Sequence, residues 1–324
     1  MIPAERHNRS SPVVVICGPT ASGKTALACS LADNFDLEIV SADSRQIYRQ
    51  MDIGTAKPTI DEQNRVCHHM IDVADPDEDY SVSDYVEHAR PVIAEISQRN
   101  RLPLVVGGTG LYIRALTEGL ADLPSADEDL REKFREYAAV HGAAALHSRL
   151  HSVDPVQADK IHPNNLVRII RALEVYESSG IPMSEYQHRH GFSESPFSVL
   201  KLYLHVPRTI LNERIDARVD QMIAAGLIDE VASLLATGYN AGLKSMKAIG
   251  YREIISFLAG ERSRDETIEL IKRETRRYAK RQETWFKKEK SIITVDSLSE
   301  IDRIQPLIEC FLLKKGSGYG QDTI

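Results

Sequence analysis

The 324-residue sequence predicts an α/β protein in which a parallel β-sheet is flanked by helices and carries an inserted all-helical domain. Short apolar, β-branched runs alternate with helical patterns along most of the chain, and such runs are typical of strands buried on both faces of a parallel sheet. Each of the first three runs leads directly into a loop rich in Gly, Asp or Ser. Between about residues 116 and 198 the strand pattern is absent and helical patterns replace it.

The first strand is predicted at residues 13–17, and a Gly-rich loop connects it to a helix that ends near Asn34. Further strands are predicted at residues 38–42, 102–106, 199–206 and 292–295. In parallel α/β sheets, functional loops lie at the carboxyl ends of the strands. The segments that directly follow these strands are therefore the first candidates for a site.

The domain boundaries follow from the same patterns. Residues 13–115 and 199–313 are expected to form the α/β core with its C-terminal helices, and residues 116–198 the helical insertion. Helices are predicted at residues 131–140, 143–150 and 165–178 in the insertion and at 301–313 near the C-terminus. The polar residues 1–12 and the Gly-rich tail 314–324 are predicted to be disordered.

Composition narrows the class of protein. The net charge is −7 at pH 7, so a nucleic-acid partner requires a local basic surface. None of the four cysteines lies in a C-x-x-C pair, which favours reduced thiols in the cytoplasm over disulfides or a zinc knuckle. The adjacent His68 and His69 lack the spacing of metal ligands on a helix and are predicted to be structural. No signal-peptide core or membrane-spanning run is present in the sequence.

The residues after the first strand fit the P-loop pattern G-x-x-x-x-G-K-[ST] in its required position between a strand and a helix. They are the predicted diphosphate-binding residues Gly18, Pro19, Thr20, Ala21, Ser22, Gly23, Lys24 and Thr25. In such a loop, successive backbone N–H groups and the helix N-terminus point at one phosphate. Lys24 is placed to pair with the terminal phosphate, and Thr25 to hold Mg²⁺. The core is therefore predicted to be P-loop NTPase-like, a fold that kinases, NTPases and other transferases share.

Together with the P-loop, five further segments resemble the tRNA dimethylallyltransferases. These are S-A-D-S-R-Q-I-Y at 41–48, H-H-M-I-D at 68–72, G-G-T-G-L-Y at 107–112, R-A-L-E-V at 171–175 and K-R-Q-E-T-W-F at 280–286. They occur in the family's order over roughly the whole ordered chain. The resemblance implies transfer of a dimethylallyl group from dimethylallyl diphosphate to N6 of the adenine 3′-adjacent to the tRNA anticodon, with release of diphosphate.

Asp43 is the predicted general base. N6 of adenine is a weak nucleophile because its lone pair is delocalised into the ring, and a nearby carboxylate can accept its proton as the C–N bond forms. Asp43 follows a buried strand of the P-loop unit; a structural or Mg²⁺-linked aspartate is the alternative. Thr109, in the second Gly-rich turn, is predicted to bond the bridging or leaving oxygen. Lys24 completes the predicted catalytic set.

Two arginines are candidates for the far side of the diphosphate, where negative charge grows as the allylic C–O bond breaks. Arg214 and Arg218 lie four residues apart and therefore on one face of a predicted helix. The resemblance implies that at least one of them reaches the diphosphate, and a solvated pair is the alternative.

The tRNA-facing surface is predicted from a basic window at residues 272–290. It holds nine Lys and Arg against three Glu, a net charge of +6 (9 − 3), and includes Tyr278 and Trp285. Such a mixture suits phosphate contact and base stacking, whereas a charged surface helix is the alternative. With the resemblance, the predicted tRNA-binding residues are Asp43, Ser44, Arg45, Gln46, Thr109, Arg131, Val167, Arg168, Ile169, Ile170, Arg171, Lys247, Gly250, Tyr251, Arg252, Lys280, Arg281, Gln282, Thr284, Trp285 and Lys287. Ile169 and Ile170 also fall on the apolar stripe of their helical pattern.

Three alternatives to a tRNA prenyltransferase were weighed: a P-loop nucleotide or nucleoside kinase, an adenylate isopentenyltransferase that acts on a free nucleotide, and a non-catalytic RNA-binding switch. A kinase would not explain the basic window or the insertion. A non-catalytic switch would not require Asp43 or Thr109. The sequence therefore predicts a cytoplasmic, monomeric, Mg²⁺-dependent enzyme. Its expected partners are the tRNA anticodon stem-loop and dimethylallyl diphosphate, without a membrane.

Overall fold

The computed structural model describes residues 11–191, 196–289 and 291–315, with only the backbone for Lys315. Most of the two predicted disordered ends lies outside these residues. Pro12 begins the first strand and the last helix reaches Lys315, so regular structure begins before residue 13 and continues past residue 313. The chain divides into two compact units, one of residues 1–117 and 196–324 and the other of residues 118–195.

The first unit is built on six parallel strands in the order β3-β2-β4-β1-β5-β6. Their bounds are β1 Pro12–Cys17, β2 Leu37–Ala42, β3 His68–His69, β4 Leu102–Gly107, β5 Ser198–His205 and β6 Ile292–Asp296. Every residue of β1, β2 and β4 is buried, as expected for central strands covered on both faces. The sequence analysis missed β3, since a two-residue strand has no hydrophobic pattern of its own.

Helices cover the sheet and form the second unit. Their bounds are α1 Lys24–Leu31, α2 Ile60–Arg65, α3 Val82–Gln98, α4 Gly110–Glu118, α5 Glu128–His141, α6 Ala143–Val153, α7 Pro155–Ala158, α8 Leu166–Ser179, α9 Met183–His190, α10 Arg208–Ala224, α11 Leu227–Ala236, α12 Tyr251–Leu258, α13 Arg264–Phe286 and α14 Ile304–Lys315, with a 3₁₀ turn at Ile301–Arg303. None of the described helices is long and apolar enough to cross a membrane. The predicted fold, a P-loop NTPase-like parallel sheet with an inserted helical unit, is confirmed.

Helix α13 is the longest described helix and begins at a capping box. The Ser263 hydroxyl accepts a hydrogen bond from the Glu266 N–H, and the Glu266 carboxylate accepts one from the Ser263 N–H at 2.9 Å. These bonds satisfy donors that a helix N-terminus leaves open. Ala279 then packs with Leu211 and Ile215 of α10, which fixes the orientation of the helix on the first unit.

The second unit has its own hydrophobic core, formed by Phe134, Leu146, Leu150, Ile169 and Leu173 among others. Helix α8 supplies both apolar residues and one fully buried carboxylate, Glu174. A buried carboxylate requires compensation by donors or cations, and its partners lie on the same unit, as described below.

Candidate active site

Three loops leave the sheet side by side. In the strand register Cys17 of β1 and Ala42 of β2 both lie opposite Gly107 of β4. The P-loop, the loop that begins at Asp43 and the loop that begins at Gly108 therefore start at the same edge. The Thr109 N–H donates to the Ala42 carbonyl at 3.1 Å, which ties the second and third loops together.

The P-loop curls through two left-handed residues, Ala21 at φ 62° and Gly23 at φ 90°. Glycine adopts this region at little cost, whereas a residue with a side chain is strained there. The Lys24 ammonium donates to the carbonyls of Gly18 at 3.1 Å and Pro19 at 2.7 Å. The lysine thus lies along the loop that is predicted to hold phosphate.

Burial lowers the pKa of Lys24 to about 8, with a further decrease from the positive charge of Arg218 and an opposing increase from Asp43. Burial also lowers the pKa of Arg218. An anion bound between the two cations would stabilise their charged forms, because pairing offsets the free-energy cost of burying each charge.

Diphosphate affinity is therefore expected to depend on pH. A bound anion raises the pKa of Lys24, so affinity should be constant below pH 8 or so and fall by up to about tenfold per pH unit above it. Titrating inorganic diphosphate with Mg²⁺ between pH 6.5 and about 9.5 measures this dependence. In Lys24→Arg the guanidinium stays charged, so the fall in diphosphate affinity that deprotonation of Lys24 causes should be absent. If affinity falls equally steeply with pH in the variant and the wild type, Lys24 is not the group responsible.

A cavity of about 320 Å³ opens beside these loops, a size typical of small-molecule sites. Its basic side chains are Lys24, Arg45, Arg218, Lys247, Arg252 and Arg281, and among the described residues Asp43 is the one acidic side chain that lines it. Its apolar wall is formed by Ala28, Ile39, Val106, Ile215, Val219, Met222, Leu227, Ala248, Ile249 and Ile271. The cavity therefore offers cations for an anionic group, an apolar surface for a hydrocarbon group and one carboxylate as a base.

Asp43 is fixed by its own loop. Its Oδ1 accepts a hydrogen bond from the Arg45 N–H at 2.8 Å, and the Ser44 N–H donates to Thr109 Oγ1 at 3.1 Å. The Gln46 amide donates to the Ala56 carbonyl at 3.0 Å and accepts from Ser41. Gln46 is thus engaged in fixing the loop that carries Asp43.

Thr109 lies outside the cavity lining, and the two arginines of α10 are placed differently from each other. The Thr109 hydroxyl contacts Ser44 and Tyr278, and Thr109 is not among the residues that line the cavity. Arg218 lines the cavity, whereas Arg214 is exposed and lies outside the lining. The structure therefore brings one of the two predicted diphosphate arginines to the site.

One face of α13 meets the loop at Gly107–Gly110. The Gln282 amide donates to the Gly108 carbonyl at 2.9 Å and accepts from the Thr20 N–H at 2.9 Å. A Cβ at Gly108 would lie 2.2 Å from Gln282 Nε2, and one at Gly110 would lie 2.2 Å from the Trp285 ring. Glycine is required at both positions by this close approach. The buried side chain of Gln282 and the packed ring of Trp285 thus belong to the protein interior more than the sequence predicted.

The other face of α13 carries the exposed charge. Much of the predicted basic window is paired: Lys272 with Asp220, Arg273 and Arg277 with Glu274, and Arg276 with Asp216. The exposed cations without an ion pair to the described residues are Lys280, Arg281, Lys287 and Lys288. Thr284 is exposed beside them, and Lys290 lies outside the described residues. The surface open to an anionic partner is therefore narrower than the window.

The segment at residues 247–252 likewise contains both exposed and buried residues. Lys247 and Arg252 are exposed and line the cavity, as does the buried Gly250. Tyr251 is fully buried, and its hydroxyl donates to Glu230 at 2.6 Å. The predicted RNA contact of Tyr251 stays a prediction, and its ring packs against Gly54 in the interior.

In the second unit, Val167 and Arg168 are exposed, whereas Ile169 and Ile170 are core residues. The predicted RNA contacts of these two residues stay predictions, and the apolar stripe of α8 buries their side chains. Arg131 and Arg171 pair with the buried Glu174 at 3.0 and 2.8 Å. Both arginines thus neutralise a buried carboxylate, a task that the sequence did not indicate.

The adjacent histidines have separate environments. His69 Nε2 lies 2.6 Å from Glu38. Burial alone would raise the pKa of Glu38, but hydrogen bonds from Arg99, His69 and Arg101 lower it to about 2. His68 lines the cavity, with Nδ1 2.7 Å from the Val66 carbonyl and Nε2 buried without a partner among the described residues. Burial lowers the pKa of His68, which adds a neutral acceptor that sequence reasoning missed.

Comparison with known proteins places this geometry in a family. The "IPP transferase" family model matches residues 46–289, and the "Isopentenyl transferase" model matches residues 11–72. A tRNA dimethylallyltransferase of Desulfosudis oleivorans is 51% identical over 93% of this chain and 96% of its own length. A tRNA dimethylallyltransferase 1 of Pelobacter propionicus is 54% identical over 88% of this chain and 92% of its own length.

Solved structures agree. The full-length tRNA isopentenylpyrophosphate transferase of Bacillus halodurans matches with a TM-score of 0.70 and 40% identity, over 95% of this chain and 98% of its own. A eukaryotic dimethylallyltransferase acting on tRNA matches with a TM-score of 0.79 and 29% identity, over 97% and 82% of the two chains. With a family model that spans most of its length and relatives that share half of its residues, this chain belongs to the IPP transferase family.

Proposed function

We infer that this chain is a tRNA dimethylallyltransferase, which moves a dimethylallyl group from dimethylallyl diphosphate to N6 of the adenine 3′-adjacent to the anticodon. The observation that carries this inference is the composition of one cavity. A P-loop, six cations, an apolar wall and a single carboxylate meet there. The names of the relatives and of the solved structures support a transferase that acts on tRNA.

Dimethylallyl diphosphate, the donor of the prenyl group, fits this cavity as two parts, a diphosphate and a hydrocarbon group. Its diphosphate lies against the P-loop, where backbone N–H groups, Lys24 and Arg218 provide positive charge. Its hydrocarbon group lies on the apolar wall, which includes Ile39 and Val106. Burial of a small apolar group of this kind gains about 25 cal/mol per Å² of surface removed from water.

The residues in this cavity account for each bond, charge and proton in the transfer step. Adenine N6 attacks the allylic carbon bonded to oxygen, a C–N bond forms and the C–O bond breaks. The electron pair of that C–O bond leaves with diphosphate, where Lys24 and Arg218 stabilise the developing charge. The N6 proton passes to the Asp43 carboxylate. Contact of Thr109 with the bridging oxygen stays a prediction, as do the RNA contacts of Ser44, Arg45 and Arg168.

Magnesium fits the same cavity. Thr25 lines the cavity beside the P-loop, and the Ser22 hydroxyl is buried without a hydrogen-bond partner among the described residues. Mg²⁺ is usually bound by few protein oxygens together with substrate phosphates and waters, which suits a site with one nearby carboxylate. Thr25 would hold the ion, which when bound neutralises charge on the diphosphate.

The alternatives explain fewer features. A kinase requires a P-loop and a second nucleotide site, but it has no need for the apolar wall beside the phosphates. An adenylate isopentenyltransferase has no need for the exposed cations Lys280, Lys287 and Lys288. A non-catalytic switch leaves Asp43 without a function. We propose in addition that the enzyme acts as a monomer in the cytoplasm.

A comparison of acceptors tests this proposal. Purified protein receives labelled dimethylallyl diphosphate and Mg²⁺ with either an unmodified anticodon stem-loop or free AMP, and a parallel reaction receives ATP with a nucleoside. Label in the RNA alone supports the proposal. Label in AMP alone would establish the free-nucleotide enzyme, and a phosphorylated nucleoside without prenyl transfer would establish a kinase.

Replacing Lys280 by Ala is expected to weaken RNA binding without changing donor binding. Lys280 is exposed and makes no ion pair with the described residues, so it is free to contact a phosphate. Loss of one phosphate contact should reduce the slope of log K against log salt by about 1. Stem-loop affinity at several salt concentrations measures that slope. Arg264→Ala, at the other end of the same helix and exposed without an ion pair to the described residues, is the control, and an unchanged slope in Lys280→Ala would contradict the contact.

A further inference from the structure

Gln282 lies between the two groups that the proposed reaction uses. It is 5% exposed and belongs to α13, whose opposite face carries the exposed cations. Its carboxamide makes two hydrogen bonds of 2.9 Å, one to each of two loops at the carboxyl edge of the sheet. The side chain is thus buried, and both its oxygen and its nitrogen are engaged inside the protein.

On the donor side, Gln282 bonds the same peptide unit as Lys24. The Pro19 carbonyl accepts from the Lys24 ammonium at 2.7 Å, and the adjoining Thr20 N–H donates to Gln282 Oε1 at 2.9 Å. A peptide unit is planar, so the bond to Gln282 also sets the direction of the carbonyl that holds Lys24. Rotation of this peptide would move the anchor of the ammonium.

On the acceptor side, Gln282 bonds the peptide unit next to the loop of Asp43. The Gly108 carbonyl accepts from Gln282 Nε2 at 2.9 Å, and the adjoining Thr109 N–H donates to the Ala42 carbonyl at 3.1 Å. That carbonyl belongs to the peptide that joins Ala42 to Asp43. A continuous hydrogen-bonded path therefore runs from Lys24 through Gln282 to Asp43.

Two neighbours on the same face of α13 hold this path in place. Tyr278, four residues before Gln282, lies beside Thr109, and Trp285, three residues after it, covers Gly110. Residues at these spacings share one helical face. Successive residues of the loop, Gly108, Thr109 and Gly110, are thus each contacted by a different side chain of one helix.

We propose that Gln282 is a positioning residue that fixes the distance and orientation of the general base Asp43 relative to the donor-binding Lys24. This inference rests on the proposed function, since it concerns the two groups that act on acceptor and donor. It assigns Gln282 to the alignment of the reaction and not to RNA binding. Misalignment of reacting groups by about 1 Å can cost a hundredfold in rate, so the effect should appear in kcat.

The test is a double-mutant cycle with Gln282→Met, which keeps the length of the side chain and removes both hydrogen bonds. We expect kcat to fall about tenfold to a hundredfold, while equilibrium affinity for the stem-loop changes less than about twofold. In an Asp43→Asn background the same substitution should cost less than about threefold, because residues that act as a unit are not additive. Glu269→Gln serves as the control on the same helix.

Three results would overturn the inference: loss of stem-loop affinity with kcat unchanged, an undiminished effect in the Asp43→Asn background, or no effect on either quantity. If Gln282→Met does not fold, as judged by its melting temperature, Gln282→Glu replaces it. That variant keeps the acceptor for the Thr20 N–H, loses the donor to Gly108, and should show the same loss of kcat. Failure of the wild type to prenylate RNA contradicts the proposed function, whereas the inference is contradicted by the behaviour of the variants alone.

Discussion

Asp43→Asn is expected to lower kcat for prenyl transfer by about 10²–10⁴, the usual contribution of a positioned general base. The amide keeps the shape of the side chain and an oxygen that can accept from the Arg45 N–H, now at 2.8 Å, but it cannot take the N6 proton. In the part of the chain that the structure describes, no other acidic residue lines the cavity, so no second carboxylate from these residues replaces it. Single-turnover transfer from dimethylallyl diphosphate to an anticodon stem-loop measures the effect.

The accompanying binding measurements decide how that loss is interpreted. Diphosphate and stem-loop affinities should change little in Asp43→Asn, because the proton transfer occurs only in the reaction itself. A variant that retains kcat within about threefold would remove Asp43 from the role of base. Loss of Mg²⁺-dependent diphosphate binding, with a proportionate loss of rate, would instead support the metal-linked alternative.

Lys24→Met is expected to lower kcat/KM by about 10²–10³, the cost of losing one preorganised electrostatic contact to a developing charge. The ammonium lies against the carbonyls of Gly18 and Pro19, where the P-loop would present it to a phosphate. Methionine preserves the apolar stem and removes the charge. Transfer rates at subsaturating donor, together with calorimetric titration of inorganic diphosphate, measure the effect.

Stem-loop affinity is the control for Lys24→Met, since the lysine is assigned to the donor alone. It should stay within about twofold of the wild type. Diphosphate affinity equal to that of the wild type would contradict the assignment of the P-loop as the donor cradle. So would a loss of RNA affinity as large as the loss of donor affinity.

The sequence predicted the sheet and the three loops because both depend on local patterns. Continuous apolar runs indicate buried strands, and the G-x-x-x-x-G-K-T segment specifies its loop through residues that are neighbours in sequence. Parallel strands then bring their carboxyl ends to one edge, so the loops that carry Lys24 and Asp43 are expected to be neighbours. Strand β3 escaped because two residues show no periodicity.

The pairings that the sequence did not indicate join residues that are distant in sequence. Arg131 is a basic residue on a helix, and only the fold reveals that it pairs with the buried Glu174, 43 residues later (174 − 131). Tyr251 looked like a contact residue beside Arg252, but its ring packs on Gly54, almost 200 residues earlier. Gln282 meets Thr20, 262 residues away in sequence. These pairings cannot be predicted from the type of one residue or from local spacing in the sequence.

The sequence also contains a pattern that predicts which face of α13 is turned to the interior. Tyr278, Gln282 and Trp285 fall at helical spacing, and the buried Ala279 and Phe286 adjoin them on the same side. Separating that face from the cations on the other side would have divided the basic window into interior and surface residues. Ion pairs with Asp216 and Asp220 of α10 would still have required the fold.

The central claim is tested most directly by locating the transferred group. Stem-loop RNA is incubated with the enzyme, dimethylallyl diphosphate and Mg²⁺, then digested and analysed by mass spectrometry with fragmentation, while released diphosphate is counted. The account predicts one dimethylallyl group on N6 of the adenosine 3′-adjacent to the anticodon, one diphosphate released per modified adenosine, and loss of both in Asp43→Asn. An RNA that gains no mass, in a preparation that phosphorylates a nucleotide from ATP, would contradict it.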